Sequence, residues 1–390
     1  MEVLKIKPHN FYPKYIEKYQ LAEVVNLEVV QPEEIGISPD NAPGSISRVR
    51  LVDPYVEYWS FSDLENVKSQ EREADSFAAT RRNNGYWERR PGTAYIKDDE
   101  SEGTKHVWGD PVSGNLFFNK MLGSDGIIAW RSKIPSAKAL LDLSDPIGEE
   151  SVTDKKGRSV ERDETAKKWL SLCTDARAIR SRAAVMAQIV SDYALSNTGT
   201  NKVNWLSVAC GTALPAMQGA IKAGISPRLF LADYDEHAMA STELLGREIG
   251  FSGEIILPNA VVGSGSINIF DENVMKNLGD TLRDTDRSPD LMDLMGIFEY
   301  TGEDLGVDSV KFLKSCYDIL APGGKLIFGQ MRSDRPFPDF VMGVVGWPFI
   351  KMRSPNEFMQ IIQETGISSQ NTDIYLPEDG VYTVGVITKQ

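Results

Sequence analysis

Two short segments combine residue types and spacing that suit the binding of a nucleotide-like ligand. The sequence ACGTALP at 209–215 follows an apolar stretch and precedes a helical one, and a turn of such small residues lets the backbone approach a ligand closely. Asp233 lies 22 residues after Gly211, at the end of the next apolar stretch. A carboxylate there can accept hydrogen bonds from both hydroxyls of a ribose. The turn alone also fits an α/β protein that binds nothing, but together with Asp233 it favours a ligand site.

The elements that must position these residues alternate between strand and helix. Strand candidates occupy 203–209, 228–233, 254–258, 290–295 and 325–331, with helical stretches at 214–224, 236–249, 271–283 and 308–320. After a further helix at 354–366, two strand-like runs joined by a turn fill 372–389. Because each parallel crossover needs a covering helix, this order predicts an α/β fold with a mostly parallel, doubly wound sheet of seven strands, ending in an antiparallel hairpin.

The chain before residue 203 is less regular. Apolar residues recur at steps of three and four from Ile179 to Tyr193, which predicts a helix. Residues 145–164 are rich in charge and suggest a linker, and 97–103 suggest an acidic loop. The first 145 residues look like short strands and loops, for example at 52–61 and 83–97.

We therefore expect three parts. Residues 1–145 would form an irregular, mixed accessory segment that acts as a cap or as a surface for homo-oligomer formation. Residues 146–200 would be the linker and helical lead-in, and residues 201–390 the ligand-binding domain.

The composition argues against several classes of partner. The net charge of −14 disfavours nucleic acid, because the protein would repel the phosphate backbone. No apolar run approaches the ~20 residues that cross a bilayer, and the N-terminus lacks a secretory signal, so we expect no membrane association and a cytoplasmic location. The three cysteines and three histidines show no metal-ligand spacing, so we expect no metal and no disulfide framework.

Residues 165–390 resemble the class I S-adenosylmethionine-dependent methyltransferases. Four segments carry the resemblance in the family's order, namely LSVACGTA, LADYDEHA, DLMDLMGIFEYTG and LAPGGKLIFG, and the terminal hairpin matches the family's antiparallel last strand. RAIRSR at 177–182 and GIFEY at 296–300 are also similar to segments of a group that makes a methylated 3-hydroxy fatty acid signal.

The resemblance implies a Rossmann-like domain that binds S-adenosylmethionine. Asp233 would hold the ribose, with Tyr234 beside the adenine. Further contacts are expected from Ser207, Ala209, Cys210, Gly211, Thr212, Ala213, Asp271, Met295, Gly296 and Arg180.

Two positions depart from the family pattern. Ser207 stands where the family has an acid, and Ala213 replaces a glycine. The usual acid helps to hold the amino-acid end of the cofactor, so we expect that end to be held differently, with Arg180 or Arg182 reaching its carboxylate. A solvated helix face explains these arginines equally well.

Methyl transfer needs alignment and, for some acceptors, removal of a proton. Glu299 and Tyr300 follow the fourth strand and are the best candidates for catalysis, whereas His237 falls on the cofactor side. Arg332, Arg335 and Arg353 follow the fifth strand and would suit a carboxylate or phosphate on the substrate, although surface pairs with Asp334 and Asp339 explain them too.

The sequence thus predicts methyl transfer to a small metabolite, with an anionic one favoured by the arginines. One alternative is an enzyme that transfers or cyclises the aminocarboxypropyl arm of the same cofactor. Another is a nicotinamide-dependent oxidoreductase, which is disfavoured because Leu214 fills the last glycine position of the dinucleotide motif. A non-catalytic binding protein with the same fold is the third.

Overall fold

One nine-stranded sheet runs through the centre of the molecule. We analysed a computed structural model that describes residues 18–89, 109–197, 203–348 and 350–390. In chain order the strands are β1 (Glu23–Val29), β2 (Ser45–Val52), β3 (Ser151–Thr153), β4 (Ser159–Glu161), β5 (Asn204–Val208), β6 (Arg228–Ala232), β7 (Glu254–Ile256), β8 (Leu291–Leu294), β9 (Lys325–Met331), β10 (Thr372–Pro377) and β11 (Tyr382–Thr388). The strand order in the sheet is β1-β2-β10-β11-β9-β8-β5-β6-β7, and β3 and β4 form a separate hairpin.

Fourteen α-helices are present among the described residues. They are α1 (Pro54–Glu57), α2 (Phe61–Asn83), α3 (Pro111–Asn115), α4 (Asp125–Arg131), α5 (Ala137–Ser144), α6 (Glu164–Leu172), α7 (Thr174–Ser196), α8 (Leu214–Ala223), α9 (Glu236–Ala240), α10 (Thr242–Ile249), α11 (Asn259–Val262), α12 (Glu272–Asp284), α13 (Ser309–Ile319) and α14 (Pro355–Glu364). Two π-helical segments, Leu116–Leu122 and Phe340–Val345, complete the longer elements.

The sheet is covered on both faces, as its continuous apolar strands require. Residues of α12, α13 and α14 pack on one face in a single apolar cluster with β5, β6, β8 and β9. Residues of α7, α8 and α10 pack on the other face. A third cluster joins α2, α4, α5 and α6 to the segment that follows β9, so these helices lie over the end of the sheet. We call the described residues between 53 and 173 the cap.

The predicted α/β fold is confirmed. Strands β5 to β9 are parallel and β11 runs antiparallel between β9 and β10. The sheet has nine strands instead of seven, because β2 pairs in parallel with β10 and β1 pairs with β2. The N-terminal part of the chain thereby extends the same sheet.

The cap differs most from expectation. Residues 52–61, expected to be a strand, contain α1 and the start of α2, because Asp53 and Ser60 accept hydrogen bonds from the first turns of these helices. Few apolar residues of α2 face the core, so its sequence lacks the apolar periodicity by which a helix is recognised. Residues 90–97 and the acidic loop at 97–103 lie outside the described residues.

The expected linker at 145–164 is also ordered. It forms the β3–β4 hairpin, and Val152 is buried in the core of the cap. Arg162 is buried as well and pairs with Asp142 of α5 at 2.7 Å. At least one charge of this segment is therefore part of the packed cap, although most of its charged residues are exposed.

A buried carboxylate ties the cap to the helix that leads into the sheet. Glu71 of α2 accepts hydrogen bonds from the backbone N–H and the hydroxyl of Thr174, at 2.9 and 2.7 Å, in the first turn of α7. Burial raises the pKa of Glu71 to about 7. The folded protein therefore holds this proton at a pH where the unfolded chain has released it.

This shift predicts that the free energy of unfolding decreases as pH rises. The carboxyl of Glu71 has an ordinary pKa of 4.5, so between that value and about 7 the folded state binds more protons than the unfolded state. The expected loss is roughly 3 kcal/mol across this interval. Glu71→Gln should remove this part of the slope in urea denaturation curves recorded at several pH values, while Glu73→Gln, on the exposed side of α2, should keep it. An unchanged slope in Glu71→Gln would contradict this assignment.

Candidate active site

A crevice opens at the carboxyl ends of the central parallel strands. The strand order reverses between β5 and β8, and the loops that follow β5, β6 and β8 form one side of the crevice. Residues 135–144 of the cap form the other side. The space of the crevice, including the part open to solvent, is about 1340 Å³, and a crevice at such a reversal is where sheets of this kind bind ligands.

The turn after β5 has an unusual backbone. Ala209, Gly211 and Ala213 all have positive φ angles, of 51°, 52° and 51°. Alanine seldom adopts this conformation, and such strain is typical of functional sites. A Cβ on Gly211 would lie 2.9 Å from the Cβ of Ala137 in the cap, so only glycine fits between the turn and the cap.

Asp233 is held in place by this turn. Its Oδ2 accepts a hydrogen bond from the backbone N–H of Gly211 at 2.7 Å, and its Oδ1 accepts one from the N–H of Asp235 at 2.9 Å. Each oxygen keeps acceptor capacity for a ligand. Tyr234 projects beside it with 79% of its surface exposed. Asp235 caps the next helix by accepting a hydrogen bond from the N–H of Ala238.

Eight of the twelve expected cofactor contacts line this crevice, and four do not. The eight are Ala209, Cys210, Gly211, Thr212, Asp233, Tyr234, Met295 and Gly296. Ala213 is buried at the N-terminus of α8, and Asp271 caps α12 by accepting from Asn273 and Val274. Neither is placed to touch a ligand in the crevice, and the expectation for both is corrected accordingly.

The expected contact between Ser207 and the cofactor is corrected as well, because Ser207 lies beneath the crevice and does not line it. It is buried in β5 opposite Asp293 of β8 and hydrogen-bonds to that carboxylate. Asp293 also accepts from the indole N–H of Trp205 at 2.7 Å, and burial raises its pKa to about 6. An acid is thus present at this depth of the sheet, but on the neighbouring strand and without access to the crevice.

Arg180 has a structural role in place of the expected contact. Its guanidinium pairs with Asp53 at 2.8 Å and donates to the carbonyl oxygens of Leu143 and Ser171 at 2.7 and 2.5 Å. These bonds fasten α7 to the cap. Arg182, the other arginine considered from the sequence, lines the crevice instead.

A second, largely apolar cavity adjoins the crevice. Its space, including the part open to solvent, is about 680 Å³, and it shares Arg182, Gly296, Tyr300 and Trp347 with the crevice among its lining residues. Most of its lining is apolar, with five aromatic side chains, Trp130, Trp169, Tyr300, Trp347 and Tyr382. We call it the aromatic cavity.

Glu299 is the unusual group in the aromatic cavity. It is 3% exposed, and neither carboxylate oxygen has a hydrogen-bond partner among the described residues. Burial raises its pKa, and the nearest cation, Arg182, opposes that shift. A buried carboxylate without hydrogen bonds is costly unless a ligand completes it, which makes Glu299 a candidate for proton transfer.

Arg182 stands between the two cavities with its donors free. Its Nη1 lies 3.9 Å from Oε1 of Glu299, and its guanidinium stacks 4.7 Å from the ring centre of Tyr382. No hydrogen bond to another described residue satisfies it. A Cβ on Gly296 would lie only 3.0 Å from its Nη2, so the glycine leaves room for the guanidinium.

Tyr300 borders both cavities. Its hydroxyl oxygen accepts a hydrogen bond from the indole N–H of Trp347 at 2.7 Å, and burial raises its pKa to about 12. The phenol therefore stays protonated at neutral pH and can donate to a ligand.

The three arginines expected at the substrate are engaged elsewhere. Arg332 pairs with Asp334 at 2.6 Å, Arg335 is buried against Asp175 at 2.7 Å, and neither lines the crevice or the aromatic cavity. Arg353 is buried and donates to the carbonyl of Thr301 at 2.5 Å and to Gln330 at 2.6 Å. The expectation that they bind an anionic substrate therefore finds no support in the geometry, and Asp339, expected as a partner, instead pairs with Arg82 and Arg89.

Most of the aromatic cavity has no local signal in the sequence. Trp130 and Trp169 come from the cap, whose contact with the sheet depends on tertiary packing between distant segments. Glu299 and Tyr300 were expected from their position after the fourth strand, and Arg182 offers a further clue because it is a charged residue among the apolar residues of a helix.

The described residues contain neither a membrane-spanning helix nor a metal-binding cluster. No helix there is long and apolar enough to span a membrane. No group of three or more histidine, cysteine or acidic side chains there is arranged to hold a metal ion.

Comparison with known proteins gives distant structural similarity only. No family model and no curated protein matches the sequence. A Bordetella parapertussis protein described as a possible exported protein is similar over 87% of this chain and 99% of its own, with 11% identity and a TM-score of 0.45. An O-methyltransferase family protein from Burkholderia thailandensis is similar over 56% of this chain, with 14% identity and a TM-score of 0.37, and this chain spans only 60% of its length. Magnesium protoporphyrin IX methyltransferase from Synechocystis PCC 6803 with bound SAM is similar over 55% of this chain and 83% of its own, with 8% identity and a TM-score of 0.36.

Proposed function

We propose that the protein binds S-adenosylmethionine in the crevice and transfers its methyl group to a small molecule held in the aromatic cavity. The observation that carries this proposal is the junction of the two spaces. Met295, Gly296 and Tyr300 border the crevice, and Gly296 and Tyr300 also border the aromatic cavity, where Glu299 is buried without a hydrogen bond to any described residue. A cofactor and an acceptor could therefore meet there.

The residues present fit the cofactor. Asp233 offers a fixed carboxylate for ribose hydroxyls, and Tyr234 offers an exposed ring for stacking on adenine. The tight turn at 209–213 leaves space for close approach of the backbone. Arg182 supplies free donors for a carboxylate, in place of the acid that Ser207 replaces.

The chain's own contribution to the reaction is positioning and proton transfer. Bound S-adenosylmethionine supplies an electrophilic methyl group. Glu299 would accept the proton of the acceptor, which burial favours by raising its pKa. Tyr300 would orient the acceptor through its hydroxyl, and the cap would keep water out of the junction.

The proposed contact between Asp233 and the ribose of the cofactor can be tested by mutation. Asp233→Ala should weaken binding of S-adenosylhomocysteine by about 10- to 150-fold in calorimetry, which corresponds to the loss of a charge-assisted contact. Asp271→Asn is the matched control, because Asp271 caps α12 outside the crevice. Affinity that falls equally in both variants, or in neither, would remove Asp233 from the site.

The assignment of Arg182 gives a second prediction. Arg182→Met keeps much of the aliphatic stem but loses the donors, so S-adenosylhomocysteine should bind about 10-fold more weakly or worse. Methylthioadenosine lacks the carboxylate, and its affinity should stay within about twofold of wild type. Equal losses for the two ligands would show that Arg182 acts on the shape of the crevice and not on the carboxylate.

Product analysis separates methyl transfer from transfer of the aminocarboxypropyl arm. Turnover with an accepted substrate should release S-adenosylhomocysteine. Release of methylthioadenosine would overturn the proposed reaction while leaving the cofactor in place. Failure of the wild-type protein to bind either adenosyl compound would overturn the proposal as a whole.

A further inference from the structure

The charges around the aromatic cavity restrict what it can hold. Three charged side chains line it: Asp175, Arg182 and Glu299. Asp175 is already neutralised by two hydrogen bonds from Arg335, at 2.7 and 3.1 Å. If Arg182 serves the cofactor carboxylate, as proposed above, Glu299 shares its ion-pair partner, 3.9 Å away, with the cofactor and has no hydrogen bond among the described residues. A carboxylate or phosphate placed beside it would be desolvated and repelled.

The unsatisfied oxygens of Glu299 instead favour a ligand that donates a hydrogen bond. Both of its oxygens are acceptors without donors, and the carboxylate is buried at the wall of the cavity. A ligand that donates a hydrogen bond from O–H or N–H would satisfy it. The same contact would be the first step of proton removal: the O–H or N–H bond would break, Glu299 would take the proton, and the electron pair left on the ligand would form the bond to the methyl carbon. The bond between that carbon and the cofactor sulfur would break at the same time, its electron pair would go to sulfur, and S-adenosylhomocysteine would be the leaving group.

The walls favour an aromatic body. Trp130 and Trp169 stand with ring centres 5.3 Å apart, and the indole N–H of Trp130 is fixed by the carbonyl of Ala139 at 3.0 Å. Trp347 is fixed by Tyr300. Rings held in this way offer preorganised faces and edges against which another ring can pack.

We infer that the aromatic cavity binds an uncharged, predominantly aromatic molecule that donates one O–H or N–H group to Glu299, and that it rejects carboxylates and phosphates. This inference rests on the proposed function for the fate of that group, which is methylation. It replaces the anionic substrate expected from the sequence. The cavity itself can be probed without any knowledge of the natural substrate.

A set of naphthalene derivatives can show how the polar group of a ligand affects binding to the aromatic cavity. Naphthol, naphthylamine, naphthalene and naphthoate share one ring system, and their binding can be followed by tryptophan fluorescence at about pH 8 with S-adenosylhomocysteine present. Naphthol or naphthylamine should bind at least about 10-fold more tightly than naphthoate, since a buried donor contact and an avoided repulsion each contribute. Which of the two binds more tightly indicates whether the acceptor atom is oxygen or nitrogen.

The variant Glu299→Gln should reduce this preference to about threefold or less, because the amide neither repels naphthoate nor accepts as strongly. Glu303→Gln, an exposed neighbour, should leave the order unchanged. Naphthoate binding as tightly as naphthol to the wild-type protein, no binding of any probe, or a preference that survives Glu299→Gln would each overturn the inference.

Calorimetry with S-adenosylhomocysteine on the same samples separates this inference from the proposed function. Cofactor binding together with a preference for naphthoate leaves the proposed function standing and overturns the inference. A preference for naphthol that depends on Glu299, in a protein that binds no adenosyl compound, supports the inference about the cavity and overturns the proposed function.

Discussion

Glu299→Gln should lower the rate of methyl transfer by about 100- to 10,000-fold, which is the usual contribution of a positioned general base. The substitution keeps the size of the side chain but removes its ability to take a proton. Because burial raises the pKa of Glu299, the wild-type rate should also fall as pH decreases through that raised value, since only the ionised carboxylate acts as a base. Initial rates over a pH series would measure both effects.

The affinity for S-adenosylhomocysteine distinguishes a chemical role from a structural one. It should remain near wild type in Glu299→Gln, because Glu299 lines the aromatic cavity and not the crevice. A rate that is unchanged, or one that is lost only together with cofactor affinity, would exclude Glu299 as the base.

Gly211→Val should abolish detectable cofactor binding, with a loss of at least about 100-fold in affinity. The backbone at Gly211 has a φ of 52°, and a branched side chain disfavours this conformation. In addition, the new Cβ would lie 2.9 Å from Ala137 and would push the cap from the turn. Calorimetry with S-adenosylhomocysteine, alongside circular dichroism, would measure the loss.

Gly224→Val provides the control for backbone strain. Gly224 ends α8, the helix that follows this turn, and it also has a positive φ, of 66°. A Cβ on Gly224, however, would meet no atom within 4 Å. This variant should lose some stability and still bind the cofactor. Tight binding by Gly211→Val would mean that the turn at 209–213 is not part of the cofactor site.

The C-terminal half was predictable from sequence because its signals are local. The helix expected from Ile179 to Tyr193 lies within α7, and the strand expected at 325–331 matches β9. Each such strand is an apolar run buried on both faces, and each helix has a distinct apolar side. The small-residue turn and Asp233 were identified for the same reason, since both follow directly from strand ends.

The cap and the roles of the arginines were not predictable in this way. Arg180 and Arg182 are two residues apart on α7, yet one is fixed by Asp53 of the cap and the other faces the crevice. No property of the sequence near them distinguishes the two. Likewise, the sequence around Arg335 suggests a side chain that is free to bind a substrate. In the folded protein it pairs with Asp175, which lies 160 residues earlier in the chain.

The position of β10 and β11 has a consequence for the way the chain can fold. These strands cover residues 372–388, but they lie inside the sheet, between β2 on one side and β9 on the other. Until residues 372–388 have been synthesised, β2 has no partner on its inner side and β9 has an open edge. The sheet can close only after these two strands have emerged, so a nascent chain exposes both pairing edges until then. Contacts between such distant segments also slow folding, which makes this stage the one where chaperones would matter most.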